Sequence, residues 1–246
     1  MQQNQAVEVF AQQFAQLPFE QQTAQQITTS VKTTVMNVKD HVVDGTIIKT
    51  NNVKGFAANF VPLMVIISSF VGAMVMIMQH QQAAQLVQES LSKWQLFLAR
   101  QLLNVGVAFT LPFITIGLMH LFNIASQESL LSIYFFQSVM YLAFLSLAQV
   151  FVIAFGNMGG MVFNICALSL QLVTSGVLVP KTMLSEGYKQ VAAMLPATYG
   201  ADGYYTIIFG GSTDNLLQNS SSLGIIIFVT LAIATLIVTF KPAPVR

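Results

Sequence analysis

Residues 160–173 read GMVFNICALSLQLV and carry no charge, and residues 174–184 continue as TSGVLVPKTML. A proline followed by a lysine is a typical end for a helix that leaves a lipid bilayer. Proline cannot continue the helical hydrogen-bond ladder, and a lysine side chain reaches toward the headgroups. A helix in a soluble core has no need of such an end. The stretch therefore predicts a membrane-spanning helix.

The composition of the whole chain also indicates a membrane protein. Of its 246 residues, 54% are hydrophobic and 8% are charged, and the mean hydropathy is +0.67. Soluble domains average about 25% charged residues. The formal net charge of +1 provides no basic field that could hold nucleic acid. We therefore expect the lipid bilayer, and not a nucleic acid, as a partner.

Five apolar runs are long enough to cross a bilayer, which takes about 20 mainly apolar residues. The runs cover residues 60–78, 97–122, 130–155, 160–179 and 223–240. The turn between the third and fourth runs, GNMG at 156–159, is so short that these two helices must form an antiparallel hairpin. We therefore expect an all-α integral membrane protein with five transmembrane helices.

The linker at residues 79–96 has an amphipathic pattern. Apolar side chains recur there at helical spacing, which predicts one interfacial helix lying on the membrane surface. Trp94 would lie in the interfacial aromatic layer, and Glu89 and Lys93 would form an ion pair on the wet face.

The linker at residues 180–222 predicts two short re-entrant or interfacial helices before the last span. The first is stopped by Pro196, and the second is closed by the glycine pair at 210–211. The three serines at 220–222 are expected to cap the last span, because serine is a preferred residue at helix N-termini.

The sequence carries no signature of catalysis. The phosphate-binding pattern GxxxxGK[ST], the zinc-protease pattern HExxH and the nucleophile pattern GxSxG are absent. The histidines have no ligand spacing. The one cysteine, Cys166, lies in an apolar run, where we expect a buried thiol. We therefore expect neither an enzyme nor a metal or other cofactor.

Four polar residues inside or beside the fourth run share one helical face, at steps of seven and four: Asn157, Asn164, Gln171 and Ser175. Polar side chains in hydrocarbon must find partners, so they face other helices or a water-lined path. The pattern permits two interpretations. These residues either hold helices together or line a translocation route.

Several ordered motifs resemble a known family. FGNMGG at 155–160, LQLVTSGVLVP at 170–180 and LPATYGADG at 195–203 resemble the C-terminal membrane region of ABC-2-type transporter permeases, in the bacterial YhgE/Pip (phage infection protein) branch. GFAANFVPL at 55–63 resembles the entry to the second span of that branch, with Ala58 in place of proline. The matching positions are Gly55, Phe56, Pro62, Gly176, Pro180, Pro196, Tyr199 and Asp202.

The resemblance implies a domain plan and an orientation in a cell membrane. Residues 1–55 would be an extracellular juxtamembrane segment, the tail of a larger external domain. Residues 56–241 would form the ABC-2-type transmembrane domain, and residues 242–246 a cytoplasmic tail. The lysines and arginines near the span ends are equally numerous on both sides. The orientation, with the N-terminal segment outside and the C-terminus in the cytoplasm, therefore rests on the resemblance alone.

The resemblance also implies a function. Such a permease works as a homodimer or heterodimer that exports a substrate or remodels the membrane, driven by a separate ATP-binding subunit. The amphipathic helix would dock that subunit through Glu89, Lys93 and Trp94. Pro180 would end the helix before the re-entrant pair, and Lys181 would reach the interface. The alternative is a non-transporting membrane receptor or an assembly scaffold.

Overall fold

The computed structural model describes residues 56–87, 92–124 and 126–240. The predicted external segment 1–55, with Gly55, the tail 242–246 and Glu89 lie outside the described residues. The helices are α1 (Phe56–Val87), α2 (Lys93–Leu121), α3 (Leu130–Thr174), α4 (Glu186–Ala192), α5 (Pro196–Phe209) and α6 (Thr213–Phe240), with one 3-10 turn at Lys181–Met183. The described part of the chain is all-helical, as predicted.

Four of these helices, α1, α2, α3 and α6, are long and apolar enough to cross a membrane. Helix α3 has 45 residues. A straight helix of that length would measure about 68 Å at 1.5 Å per residue. That is more than twice the hydrocarbon thickness of a bilayer, which is about 30 Å. Either α3 projects far out of the membrane or it folds back on itself.

The backbone of α3 folds back at Gly156, which has φ 76° and ψ −171°. This conformation is open to glycine because glycine has no Cβ. After the turn, the Asn164 side-chain amide donates a hydrogen bond of 3.2 Å to the Ala148 carbonyl. Residues 148 and 164 would lie about 24 Å apart along a straight helix. Residues 130–155, named α3a, and 157–174, named α3b, therefore form the antiparallel hairpin that the GNMG turn predicts.

The two ends of the helix bundle can be told apart by their contacts. Phe97 of α2, Ile153 of α3a and Ala234 of α6 form a small apolar cluster. Nearby, the Lys93 ammonium donates to the Thr239 carbonyl at 3.2 Å. The start of α2 and the ends of α3a and α6 therefore meet at one end of the bundle, named the Gly156 end. The opposite end, where α3b stops and α6 begins, is named the Gly176 end.

The core of the bundle surrounds α3a. Helix α1 packs on it through the edge-to-face rings of Phe70 and Phe144, 5.4 Å apart. Helix α2 is bonded to it by the Tyr134 hydroxyl, which donates to the Phe109 carbonyl at 2.9 Å. Helix α6 is bonded through the Thr230 hydroxyl, which donates to Ser146 Oγ at 2.9 Å. These side chains fix the positions of the long helices relative to α3a.

The predicted interfacial helix over 79–96 is wrong as a single element. Helix α1 continues to Val87, and a new helix begins at Lys93. The start of α2 is marked by a capping box. The Ser92 hydroxyl accepts from the Gln95 backbone at 3.3 Å, and the Gln95 side chain accepts from the Ser92 backbone at 2.9 Å. Because both helices have the same period, the apolar repeat concealed the boundary between them.

The serines at 220–222 do not cap the last span, so this prediction is also wrong. Helix α6 begins at Thr213, more than a turn earlier. The Ser220 hydroxyl donates to the Leu216 carbonyl at 2.8 Å, and the Ser222 hydroxyl donates to the Gln218 carbonyl at 3.1 Å. Serine satisfies its hydroxyl within the helix in this way, so polar residues here extend the helix instead of starting it.

Candidate functional site

The hairpin turns the polar face of α3b toward the protein interior. Asn164 and Gln171 are each 1% exposed and Ser175 is 2% exposed, whereas Asn157 at the turn is partly exposed. Gly160 allows the close approach, because a Cβ at that position would lie 2.6 Å from the Cα of Val152 in α3a. The four polar residues singled out from the sequence thus lie along one face of α3b, three of them fully buried.

The buried amides of this face differ in their bonding. The Asn164 amide nitrogen donates to the Ala148 carbonyl at 3.2 Å and to the Gly160 carbonyl at 2.9 Å. Neither amide atom of Gln171 has a partner among the described residues. An unpaired buried amide costs about 1–3 kcal/mol, and such groups usually meet water or a ligand. Asn164 is therefore a helix contact through its amide nitrogen, although its Oδ1 has no partner among the described residues. Gln171 stays a candidate for a water-lined route.

Helix α5 lies inside the bundle. Gly200 lies against Met140, and Gly203 lies against the ring of Phe136, where an added Cβ would be 2.0 Å from Cζ. At its far end, the Ile207 carbonyl accepts from the backbone of Gln127 at 2.8 Å. Because Met140 lies deeper in α3a than Phe136, α5 rises from the interior toward the Gly176 end.

A chain of side-chain hydrogen bonds fixes α5 to two other helices. The Tyr204 hydroxyl donates to Gln137 Oε1 in α3a, and Gln137 Nε2 donates to Ser69 Oγ in α1 at 3.3 Å. All three residues are buried. This network was not predicted from the sequence. Its signal was present in Gln137, an amide inside the third apolar run, which needs a partner in hydrocarbon.

The LPATYGADG motif forms the junction between α4 and α5. Pro196 occupies the first turn of α5, where its missing N–H costs nothing. The Thr198 hydroxyl donates to the Ala192 carbonyl at 2.7 Å, and the Tyr199 hydroxyl donates to the Ala193 carbonyl at 2.8 Å. Helix α4 already ends at Ala192. Pro196 therefore starts a helix, and the prediction that it stops one is wrong.

The structure at the Gly176 end shows that α3 does not end where the stretch 174–184 predicts. Helix α3 ends at Thr174, with Gly176 at φ 84°. Pro180 therefore does not end the helix, because a left-handed glycine already ends it. Pro180 instead precedes the 3-10 turn. Lys181 forms an ion pair of 2.6 Å with Asp202, and its predicted position at the membrane interface stays a prediction. Gly176 lies against the Lys181 side chain, which brings these motif positions together.

The structure also shows the positions of Pro62 and Cys166. Pro62 is buried within α1, the helix that Phe56 begins. Cys166 is exposed on α3b, so the expected burial of its thiol is wrong. An apolar run that faces lipid need not be buried in protein, because the hydrocarbon is itself an apolar solvent.

A family model of the ABC-2 family transporter proteins matches residues 1–236. This chain belongs to that family. The family and the four long apolar helices together make it a multi-pass membrane protein. Uncharacterized protein YhgE of Bacillus subtilis (strain 168) is 30% identical over 113 residues, which are 46% of this chain and 14% of that protein. The similarity supports the YhgE/Pip branch, and it spans only a small part of that relative's length. No solved structure matches the chain.

Two of the three residues expected to dock an ATP-binding subunit, Lys93 and Trp94, lie at the Gly156 end. Lys93 begins α2 and bonds the Thr239 carbonyl of α6. Trp94 is 40% exposed, with its ring edge-on to Phe97 at 6.1 Å. Trp94 thus has one side on the protein and one side free for lipid or a partner. The docking role of these two residues, and of Glu89, stays a prediction.

Proposed function

We propose that this chain is the membrane permease component of an ABC-2-type exporter, which moves a hydrophobic or cell-envelope substrate with energy from a separate ATP-binding subunit. The observation that carries the proposal is the buried helix α5. The chain reaches the interior after α4, of which only Ala192 is buried, and α5 leads back toward the Gly176 end. A re-entrant pair of this kind would close one end of a pathway and leave the other end accessible.

The proposed route follows the polar face of α3b. Gln171 is buried with both amide atoms unpaired in the described part of the protein, and it faces inward with Asn164. Its amide can donate to and accept from a passing polar group or a line of water molecules. Asn164 bonds α3a on the same face, so it would hold the wall of the route while Gln171 lines it. Asn157 and Ser175 would mark its two ends.

We also propose that the protein works as a dimer of permease halves, with itself or with a related chain. In their most apolar stretches, α2 and α6 bury 22% and 17% of their residues, against 56% for α3. Two of the long helices thus present most of their apolar surface outward. Part of that surface would meet lipid, and part would meet the second permease half.

The proposed topology has five membrane crossings, α1, α2, α3a, α3b and α6, with the Gly176 end outside and the Gly156 end in the cytoplasm. A cysteine-accessibility experiment tests it in a Cys166→Ser background. Gln190→Cys should react with a membrane-impermeant maleimide in intact cells, and Gln88→Cys should react only after the cells are opened. The reverse labelling pattern would place the proposed docking residues outside and refute the orientation.

The exporter proposal is tested by recovering the protein from its native membrane with its partners. The full chain should co-purify with a subunit that carries a phosphate-binding loop, and the complex should hydrolyse ATP. The combined change Lys93→Glu and Trp94→Ala should reduce that recovery, while Gly224→Ala in α6 serves as the control. Recovery without any ATP-binding subunit would favour the receptor or scaffold alternative.

A further inference from the structure

A second polar group lies at the Gly156 end, apart from the α3b face. Three helices contribute to it, and each of its members has a buried side-chain polar atom without a hydrogen-bond partner among the described residues. The members are His80 and Gln81 from α1, Arg100, Gln101 and Asn104 from α2, and Gln149 from α3a. Unpaired polar atoms at this density are unusual in a native interior and require an explanation.

One hydrogen bond orders the centre of this group. The Asn104 amide nitrogen donates to Gln149 Oε1 at 2.6 Å, and both side chains are 1% exposed. The bond uses one atom of each amide. It leaves Gln149 Nε2 as a free donor and Asn104 Oδ1 as a free acceptor. His80 lies close to the Asn104 side chain and within electrostatic range of Arg100. Arg100 precedes Asn104 by one helical turn and lies on the same side of α2.

The charge of this group is not balanced within the described part of the protein. Arg100 contributes a permanent positive charge and is partly buried. The acidic residues of the described part all lie toward the Gly176 end, at Glu128, Glu186, Asp202 and Asp214. A guanidinium withdrawn from water is stabilised by a nearby anion. Among the described residues no carboxylate lies at this end of the bundle, and Glu89 of the α1–α2 linker lies outside them, so Arg100 has room for an anionic ligand.

The depth of the group in the membrane indicates which anion is available. His80 and Arg100 lie seven residues from the Gly156 end of their helices, and Gln149 lies six residues from the end of α3a, which corresponds to about 10 Å. Helix α1 has 32 residues, a length of about 48 Å against a hydrocarbon core of about 30 Å. A centred α1 would extend about 9 Å beyond the core at each end. The group would then lie at the boundary with the headgroups, where lipid phosphates are found.

We propose that Arg100, Gln149 and His80 form a binding site for a phosphate group at the Gly156 end. Arg100 supplies the charge and a donor at Nε, and Gln149 Nε2 supplies a second donor. Asn104 orients the Gln149 amide so that its nitrogen faces the ligand. The phosphate can be carried by a lipid headgroup or be free in solution. Such a site would bind phosphate whether or not the protein exports a substrate.

The test measures binding to the purified full-length chain in detergent. Three probes are compared: dioctanoyl phosphatidylglycerol, inorganic phosphate and dioctanoylglycerol, which lacks the phosphate. The lipid phosphate should bind, and Arg100→Gln should weaken it by about tenfold, as expected for the loss of a charge-assisted hydrogen bond. Lys93→Gln is the matched control, because it removes the same charge from the same end of α2. It should change the affinity by less than about twofold.

Gln149→Glu is a second variant, and its expected effect on phosphate binding does not depend on a loss of stability. The new carboxylate keeps an acceptor for Asn104 and places a negative charge near Arg100. It should abolish phosphate binding and leave the melting temperature of the lipid-free protein unchanged or raised. Binding of both phosphate probes with the same sensitivity to Arg100→Gln would assign the site to phosphate in general. Binding of the lipid probe alone would assign it to a headgroup.

Three outcomes would overturn the proposal. They are equal binding of dioctanoylglycerol and the lipid phosphate, equal losses for Arg100→Gln and Lys93→Gln, and undiminished phosphate binding by Gln149→Glu. The first would indicate a site for acyl chains, and the second a general basic surface. The third would locate the phosphate elsewhere.

Discussion

Replacing Gly203 with alanine tests how tightly α5 is held in the bundle. A Cβ at this position would lie 2.0, 2.4 and 2.7 Å from three ring carbons of Phe136, whereas carbon atoms in contact are about 3.5–4.0 Å apart. The Phe136 ring is 1% exposed, so it has no free space to enter. Either the ring or the α5 backbone must shift by roughly 1.5 Å.

Overpacking of this kind costs about 1–3 kcal/mol. For a chain of this size, 2 kcal/mol corresponds to a fall of roughly 4–8 °C in melting temperature. The matched control is Gly224→Ala in α6, because nothing lies within 4 Å of a Cβ there. Both changes gain the same helix propensity, about 1 kcal/mol. The difference between the two variants therefore isolates the clash.

The measurement is the thermal unfolding of the purified protein in detergent. A second change, Phe136→Leu, removes the ring carbons that the new methyl group meets. The double variant should lose less stability than the sum of the two single changes, with a coupling energy of about 0.5–3 kcal/mol. Equal melting temperatures for Gly203→Ala and Gly224→Ala, or strictly additive losses, would show that α5 is not packed as described.

Two further predictions concern the hairpin and its polar face, and a third concerns ATP hydrolysis. Gly156→Ala should destabilise the protein by about 1–3 kcal/mol, because the backbone conformation at this position is essentially restricted to glycine. Gly106→Ala should not destabilise it, because nothing lies within 4 Å of a Cβ there. Thermal unfolding of both variants checks this prediction. Asn164→Leu and Gln171→Leu should impair transport in proteoliposomes more than they reduce the amount of folded protein in the membrane. The reason is that interhelical hydrogen bonds average about 0.6 kcal/mol. Loss of both variant proteins from the membrane would show that these residues are structural. The chain purified alone should not hydrolyse ATP, and activity in a clean preparation would contradict its role as a permease.

Hydropathy alone predicts most of the architecture, because the bilayer requires long apolar helices whose backbone polar groups are satisfied internally. The apolar runs locate α1, α2, α3 and α6, and the short GNMG turn predicts that α3 folds back. The polar positions of α3b could also be assigned to one face. Steps of seven and four residues bring side chains to the same side of any helix.

The ends of the helices could not be predicted as well, because they depend on local geometry and tertiary contacts. Pro180 is a strong helix breaker, yet Gly176 ends α3 first by adopting a left-handed conformation. The serines at 220–222 resemble a cap, yet their hydroxyls bond within α6. The ion pair of Lys181 with Asp202 joins residues 21 apart, and no local pattern announces it.

The reversal at Gly156 limits how the two halves of α3 can move. Sliding one helix past another by a single turn requires about 5.4 Å of spare chain at the connection. The antiparallel segments α3a and α3b are joined at one residue and have no such slack. A piston-like displacement between them is therefore ruled out while the turn is intact. Any change of shape in this part of the protein must be a rocking of one segment about the Gly156 pivot.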